Sequence, residues 1–132
     1  QLPAVACCDN TVLSLNFRSG SSAIETHYEE QLASLIKIAE QMPTASVEII
    51  GYADRNGNSE LNLQLSRERS NSVKQFFNSA GIQSSSIRTI AHGESKPLHP
   101  TQNFESDFFD RRVIVRLRDN STSMLTQNPD GE

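Results

Sequence analysis

The sequence has no tryptophan, only two cysteines, and too few basic residues to balance its acids: 12 Lys and Arg stand against 16 Asp and Glu, a formal net charge of −4. Each shortage excludes something. Nucleic-acid binding needs a basic face, and a chain with a pI of about 5.4 does not supply one. No apolar run approaches the roughly 20 residues that cross a bilayer, so a membrane is reached only through a segment outside this chain. Nothing after Gln1 has the basic, long apolar form of an intact secretory signal, so for an exported protein that signal is expected to be removed or to lie outside these residues. Cys7 and Cys8 are adjacent, and a disulfide between neighbours closes a strained eight-membered ring. Free thiols, or a bond to another chain, fit them better. Ala4-Val5-Ala6-Cys7 matches a lipoprotein processing site poorly, because Ala4 stands three before the cysteine.

Catalytic patterns are missing as well. His27, His92 and His99 lie on a helix, at a strand end and in a proline-flanked loop, with no metal-ligand spacing among them, and two adjacent cysteines add no zinc site. Ser66, between Leu65 and Arg67, has no oriented base beside it and reads as a helix serine. No catalytic residue, metal or cofactor is expected. No internal repeat is visible.

What is present is an alternation of periods. Thr11 to Phe17 sets Leu13, Leu15 and Phe17 against Val12, Ser14 and Asn16, the signature of a strand with one apolar face. Ser22 and Glu25 have capping-box spacing ahead of a helix over 23–41, with apolar positions Ile24, Tyr28, Leu32, Leu35, Ile38 and Met42, ended by Pro43. A second strand is expected over 46–53, a second helix over 59–80 stopped by Gly81 with Ile82 folding back, and a third strand over 87–92. A loop over 94–103 follows. A short helix over 104–110 is expected to lay Phe104, Phe108 and Phe109 against the sheet, before a last strand over 111–118. Residues 1–10 read as a leader and 119–132 as a mobile tail. Strands alternating with helices in 11–118 give one α/β domain, an α+β two-layer sandwich.

The most informative stretch is Tyr52 to Arg69, where the second strand runs out at Asp54, turns at Asn56-Gly57 and becomes a helix. Its apolar residues Leu61, Leu65, Val73, Phe76 and Ala80 follow a helical spacing, and at about 100° per residue Arg69 falls inside that stripe. An inward guanidinium is costly unless an anion and hydrogen bonds meet it, and Asp54 is the nearest acid on the preceding strand. Two readings follow: a structural Asp54–Arg69 ion pair tying helix to strand, or a split clamp of opposite charges at the rim, shaped for a zwitterion.

The spaced set G-Y-A-D-x-x-G-x-x-x-x-N-x-x-L-S-x-x-R-S-x-x-V, then Gly81-Ile82, A-H-G-E-x-x-P and D-R-R-V, resembles the OmpA C-terminal-like domain, over roughly Val12 to Leu117. That family includes peptidoglycan-associated lipoproteins and the periplasmic part of flagellar motor stators. The resemblance implies a mixed four-stranded sheet with helices on one face. It also implies non-catalytic peptidoglycan binding in the periplasm of a Gram-negative-type bacterium, in association with the outer membrane or cell wall. The residue matching Asp54 would take the ammonium, and the one matching Arg69 the carboxylate, of meso-diaminopimelate in a stem peptide.

Around that pair the resemblance implies a pocket shaped by Asn62, Leu61, Tyr52, Ala53 and Arg111, with Leu61 as pocket floor or core. Tyr52-Ala53 replaces the family's usual His-Thr and exchanges a hydroxyl for an aromatic wall. Asp110 replaces the usual Asn, adding a charge expected to pair with Arg111, while Arg112 reads as a structural strand residue. Tyr52 to Arg55, Pro97-Leu98-His99 and Asp107 to Arg112 also resemble OmpA-like proteins that accompany sortase systems. This leaves an alternative, an OmpA-like protein-interaction domain of a sortase-associated system with weak or lost peptidoglycan binding, which presents Tyr52 and the Phe104 to Phe109 region to an envelope partner such as a sortase substrate. A wall-processing enzyme is a third reading. The oligomeric state is not legible.

Overall fold

The computed structural model describes residues 11–119. The expected leader, both cysteines and the tail beyond 119 lie outside them. Among the described residues four strands, β1 (Thr11–Asn16), β2 (Ala45–Tyr52), β3 (Ile87–Gly93) and β4 (Arg112–Asp119), form one sheet in the order β1-β4-β2-β3. β4 runs antiparallel to both β1 and β2, and β3 lies parallel to β2. The parallel pair needs a crossover, which α2 (Ser59–Ser79) supplies. The helix α1 (Glu29–Glu40) joins β1 to β2, and α3 (Phe104–Asp110) leads into β4. The α/β fold with a mixed four-stranded sheet is the one expected.

Strand alternation places Leu15, Phe17, Val47, Ile49, Val113, Val115 and Leu117 on the helix-covered face, where they meet Leu32, Leu35, Ile36, Val73 and Phe77 in a single core. Gly81, at φ +101°, ends α2 as the spacing predicted. The Ile82 and Gly81 amides donate back to the Phe77 and Asn78 carbonyls, and Ile82 packs against the core.

Three expectations need correction. First, Ser22 and Glu25 do not open α1. A 3₁₀ turn over Thr26–Tyr28 precedes a helix that starts at Glu29, because the Glu25 carboxylate is taken by Arg18 and His27 instead of by a helix end. Second, the buried stripe of α2 is turned by about one residue, to Asn62, Ser66, Arg69, Ser70, Val73 and Phe77. Leu61, expected as core or pocket floor, is 64% exposed. The cause is Gly51: a Cβ there would run into the Ser66 carbonyl and the Ser70 hydroxyl, so the helix backbone lies directly on β2 and only small polar side chains fit between. Third, Phe104, Phe108 and Phe109 do not pack on the sheet but stand 89%, 44% and 49% exposed.

Candidate functional site

β2 ends in a bulge between Gly51 and Tyr52, and the chain then leaves the sheet at Ala53-Asp54. The Asp54 carboxylate accepts the Asn56 amide two residues on, at 3.0 Å, the side-chain turn that Asp favours. This reverses the chain through Gly57 at φ +82° into α2, whose first turn is capped by the Asn58 side chain accepting from the Glu60 and Leu61 amides. Asn62, expected to shape the pocket, braces the turn from within. Its amide nitrogen reaches the carbonyls of Asp54 (3.2 Å) and Asn56 (2.8 Å) and the Glu94 carboxylate (2.8 Å).

Arg69 points inward, as the helical spacing predicted, and is fully enclosed. Its partners are backbone carbonyls: Nε donates to Ser21 (2.8 Å), one terminal nitrogen to Tyr52 (3.1 Å) and the other to Arg18 (3.1 Å). The Phe17 ring lies 5.3 Å away. Burial lowers its pKa to about 10, while Asp54 pulls it up and Arg111 pushes it down. Two of the three carbonyls belong to the loop after β1, so that loop lies over the guanidinium. Ser72 ties the same loop down by donating to the Ser22 carbonyl at 2.7 Å.

The ion-pair partner of Asp54 is Arg111, at 3.2 Å, and not Arg69. Arg111 is held in place by Nε donating to the Phe17 carbonyl at 2.8 Å, beside the Phe108 ring at 5.8 Å. Two guanidiniums thus gather around one carboxylate. Arg111 lines a groove of about 570 Å³ together with Arg18, His27, Tyr28, Phe104 and Phe108.

The remaining expected residues are elsewhere. Tyr52 contributes its carbonyl to Arg69, but its ring lies under the Arg112 guanidinium, 3.6 Å from the ring centroid, and beside His92. It is therefore no wall to the groove. Ala53 is buried, its amide donating to the Gly93 carbonyl. Asp110 does not pair with Arg111. It is sealed between Arg55 and Arg112, each at 3.8 Å, and accepts the Leu98 amide at 2.9 Å, so the added charge anchors the 94–103 loop. The Arg112 pKa is lowered by burial and raised by Tyr52 and Asp110.

Sequence reasoning missed the carbonyls of Arg18 and Ser21, which no residue type announces, and Asn56, whose side chain donates to Asp107 at 2.9 Å and so ties the turn to α3. The Asp-x-Asn spacing was the available signal. Among the described residues no group of His, Cys, Asp and Glu could hold a metal ion.

The model of the OmpA family matches residues 16–111. The chain is 29% identical over 113 residues to the "Probable lipoprotein YiaD" of Escherichia coli, covering 83% of this chain and 52% of that one. It is 28% identical over 101 residues to the peptidoglycan-associated lipoprotein of Mesorhizobium japonicum, covering 76% and 60%. It thus spans about half the length of these relatives. Among solved structures, the peptidoglycan-associated lipoprotein of Burkholderia pseudomallei superposes with a TM-score of 0.76 at 23% identity, covering 79% of this chain and 88% of that one. The C-terminal domain of Helicobacter pylori MotB does so with 0.73 at 18%, covering 90% and 95%.

Proposed function

The chain belongs to the OmpA family, and from that premise we propose that it binds peptidoglycan without cleaving it, through the diaminopimelate of a stem peptide, and so holds an envelope protein to the cell wall. Relatives named as peptidoglycan-associated lipoproteins and as an outer membrane porin favour an envelope location. The observation that carries the chemistry is the charge imbalance under the groove. Arg69 and Arg111 share Asp54 as their nearest anion, Arg111 through an ion pair and Arg69 through its field. A second carboxylate would complete the set, and the free end of diaminopimelate brings one together with an ammonium.

Binding on this reading is an exchange of partners. The ligand carboxylate takes the Arg69 fork from the Arg18 and Ser21 carbonyls, while its ammonium takes Asp54 from Arg111. Each charge-assisted contact formed contributes about 1.5–3 kcal/mol, but contacts within the protein are given up, so single-site affinity is low. Wall anchoring tolerates this, because linked sites and a dense array of stem peptides raise the effective concentration. The loop over Arg69 must withdraw for the exchange to occur.

Sedimentation with purified sacculi tests the proposal. Wild-type protein is expected to co-sediment and to be released by free diaminopimelate, and Asp54→Asn is expected to stay soluble. Amidating the free carboxylate should weaken competition, and unchanged competition would remove Arg69 from its role. Retention of Asp54→Asn on sacculi would favour binding through another surface, as in a protein-interaction domain.

A further inference from the structure

The groove carries aromatic surface that the diaminopimelate contact does not use. Phe104 and Phe108 stand four residues apart on α3, one above the other on the same helix face. Both line the groove and both are exposed, Phe104 almost completely. Tyr28 and His27, with ring centroids 4.1 Å apart, reach the same groove from the segment before α1. Glu25, Asp107 and Arg111 line the same groove.

That mixture selects the occupant. An apolar helix of another protein would cover Glu25, Asp107 and Arg111 without hydrogen-bonding them, which is costly. An anionic membrane surface would meet Glu105 and Asp107 next to the phenylalanines and be repelled. A pyranose ring has one face of C–H groups that lies flat on the electron-rich face of an aromatic ring. Its peripheral hydroxyls donate to carboxylates and accept from guanidinium. Arg111, which lines the groove, lies 3.2 Å from Asp54, so the groove adjoins the stem-peptide site.

We infer that Phe104 and Phe108 form a carbohydrate subsite that stacks a sugar ring of the glycan strand carrying the bound stem peptide. This rests on the peptidoglycan reading and extends it from peptide to glycan. Phe104 makes no core contact, so its replacement tests the subsite without unfolding the chain.

The test uses two soluble probes and titration calorimetry: a disaccharide-tetrapeptide muropeptide, and the same tetrapeptide with the sugar removed by an amidase. Wild-type protein should bind the muropeptide about five- to tenfold more tightly, the effect of one stacked ring. Phe104→Ala should bring the muropeptide down to the affinity of the bare peptide and leave the peptide unchanged. Equal wild-type affinity for both probes, equal weakening of both by Phe104→Ala, or no binding of the muropeptide overturns the inference. Asp54→Asn separates the two levels. If it spares both affinities while Phe104→Ala still removes the sugar increment, the subsite stands and the diaminopimelate contact fails.

Discussion

Replacing Arg69 with methionine sets two large effects against each other. The guanidinium is fully enclosed and burial lowers its pKa to about 10 against the pull of Asp54, so removing the charge relieves a net penalty of roughly 3 kcal/mol at about 1.4 kcal/mol per pKa unit. Against this, three carbonyls at 2.8–3.1 Å lose their donor, at about 1–3 kcal/mol each when they stay dry. Arg18 is exposed and Ser21 half-buried, so their carbonyls rehydrate in part as the loop relaxes, whereas the Tyr52 carbonyl is walled in. The orphaned acceptors still win, and Arg69→Met is expected to be less stable by about 3 kcal/mol. With a urea slope of about 1.5 kcal/mol/M the midpoint falls by about 2 M. Arg69→Lys, which keeps the charge but not the fork, should fall between. The sign with pH follows from the lowered pKa. Above pH 10 the unfolded chain holds this proton more tightly than the folded one, so the Arg69 contribution to stability rises as pH climbs past 10 and is at its least favourable below pH 10. The methionine variant lacks that rise. A midpoint equal to or above wild type would refute the idea that these hydrogen bonds hold the loop to α2.

Gly51→Ala should destabilise by about 3 kcal/mol or more in the same urea titration and weaken binding to sacculi, because its Cβ would meet the Ser66 carbonyl of the α2 backbone, which cannot swing away, as well as the Ser70 hydroxyl; a wild-type midpoint would mean the helix is not seated as described. Leu61→Gln should shift stability by no more than about 0.5 kcal/mol, as expected for an exposed site, whereas a loss above about 2 kcal/mol would return Leu61 to the core. Ser72→Ala cuts the tie to the Ser22 carbonyl and should speed muropeptide association a few-fold in stopped-flow mixing, with folding unchanged by circular dichroism; unaltered association would mean that the loop does not limit access to Arg69.

The fold was legible because its signals are local and repeated. β1 and β4 announce themselves by strict alternation, and all three predicted inward residues of β4, Val113, Val115 and Leu117, are fully buried. Gly81 marks the end of α2 because only a residue tolerant of positive φ fits there. The same logic misled at α2. Leu61 and Leu65 fit a helical stripe as well as Asn62, Ser66 and Ser70 do, and the choice between the two faces was made by Gly51 on another element. A hydrophobic pattern read within one helix does not register that a neighbouring strand has made room for backbone contact.

The charges follow the same division between local and remote information. The direction of Arg69 was readable, since a helix position fixes where a side chain points. Its partners were not, since carbonyls are common to every residue and the two that matter come from a loop about 50 residues away. Asp54 was assigned to the nearer arginine in sequence, yet the pair forms with Arg111, 57 residues on, because β4 lies next to β2 and delivers its first turn beside the end of that strand. The same adjacency sends Asp110 under the 94–103 loop, to Arg55 and Arg112. Arg111 of the D-R-R run therefore answers to an acid, Asp54, that sheet order brings to it. Arg111, left facing the groove on one side and Asp54 on the other, is where the buried charge cluster meets solvent, and on the proposed function it is the first of these charges that a ligand would reach.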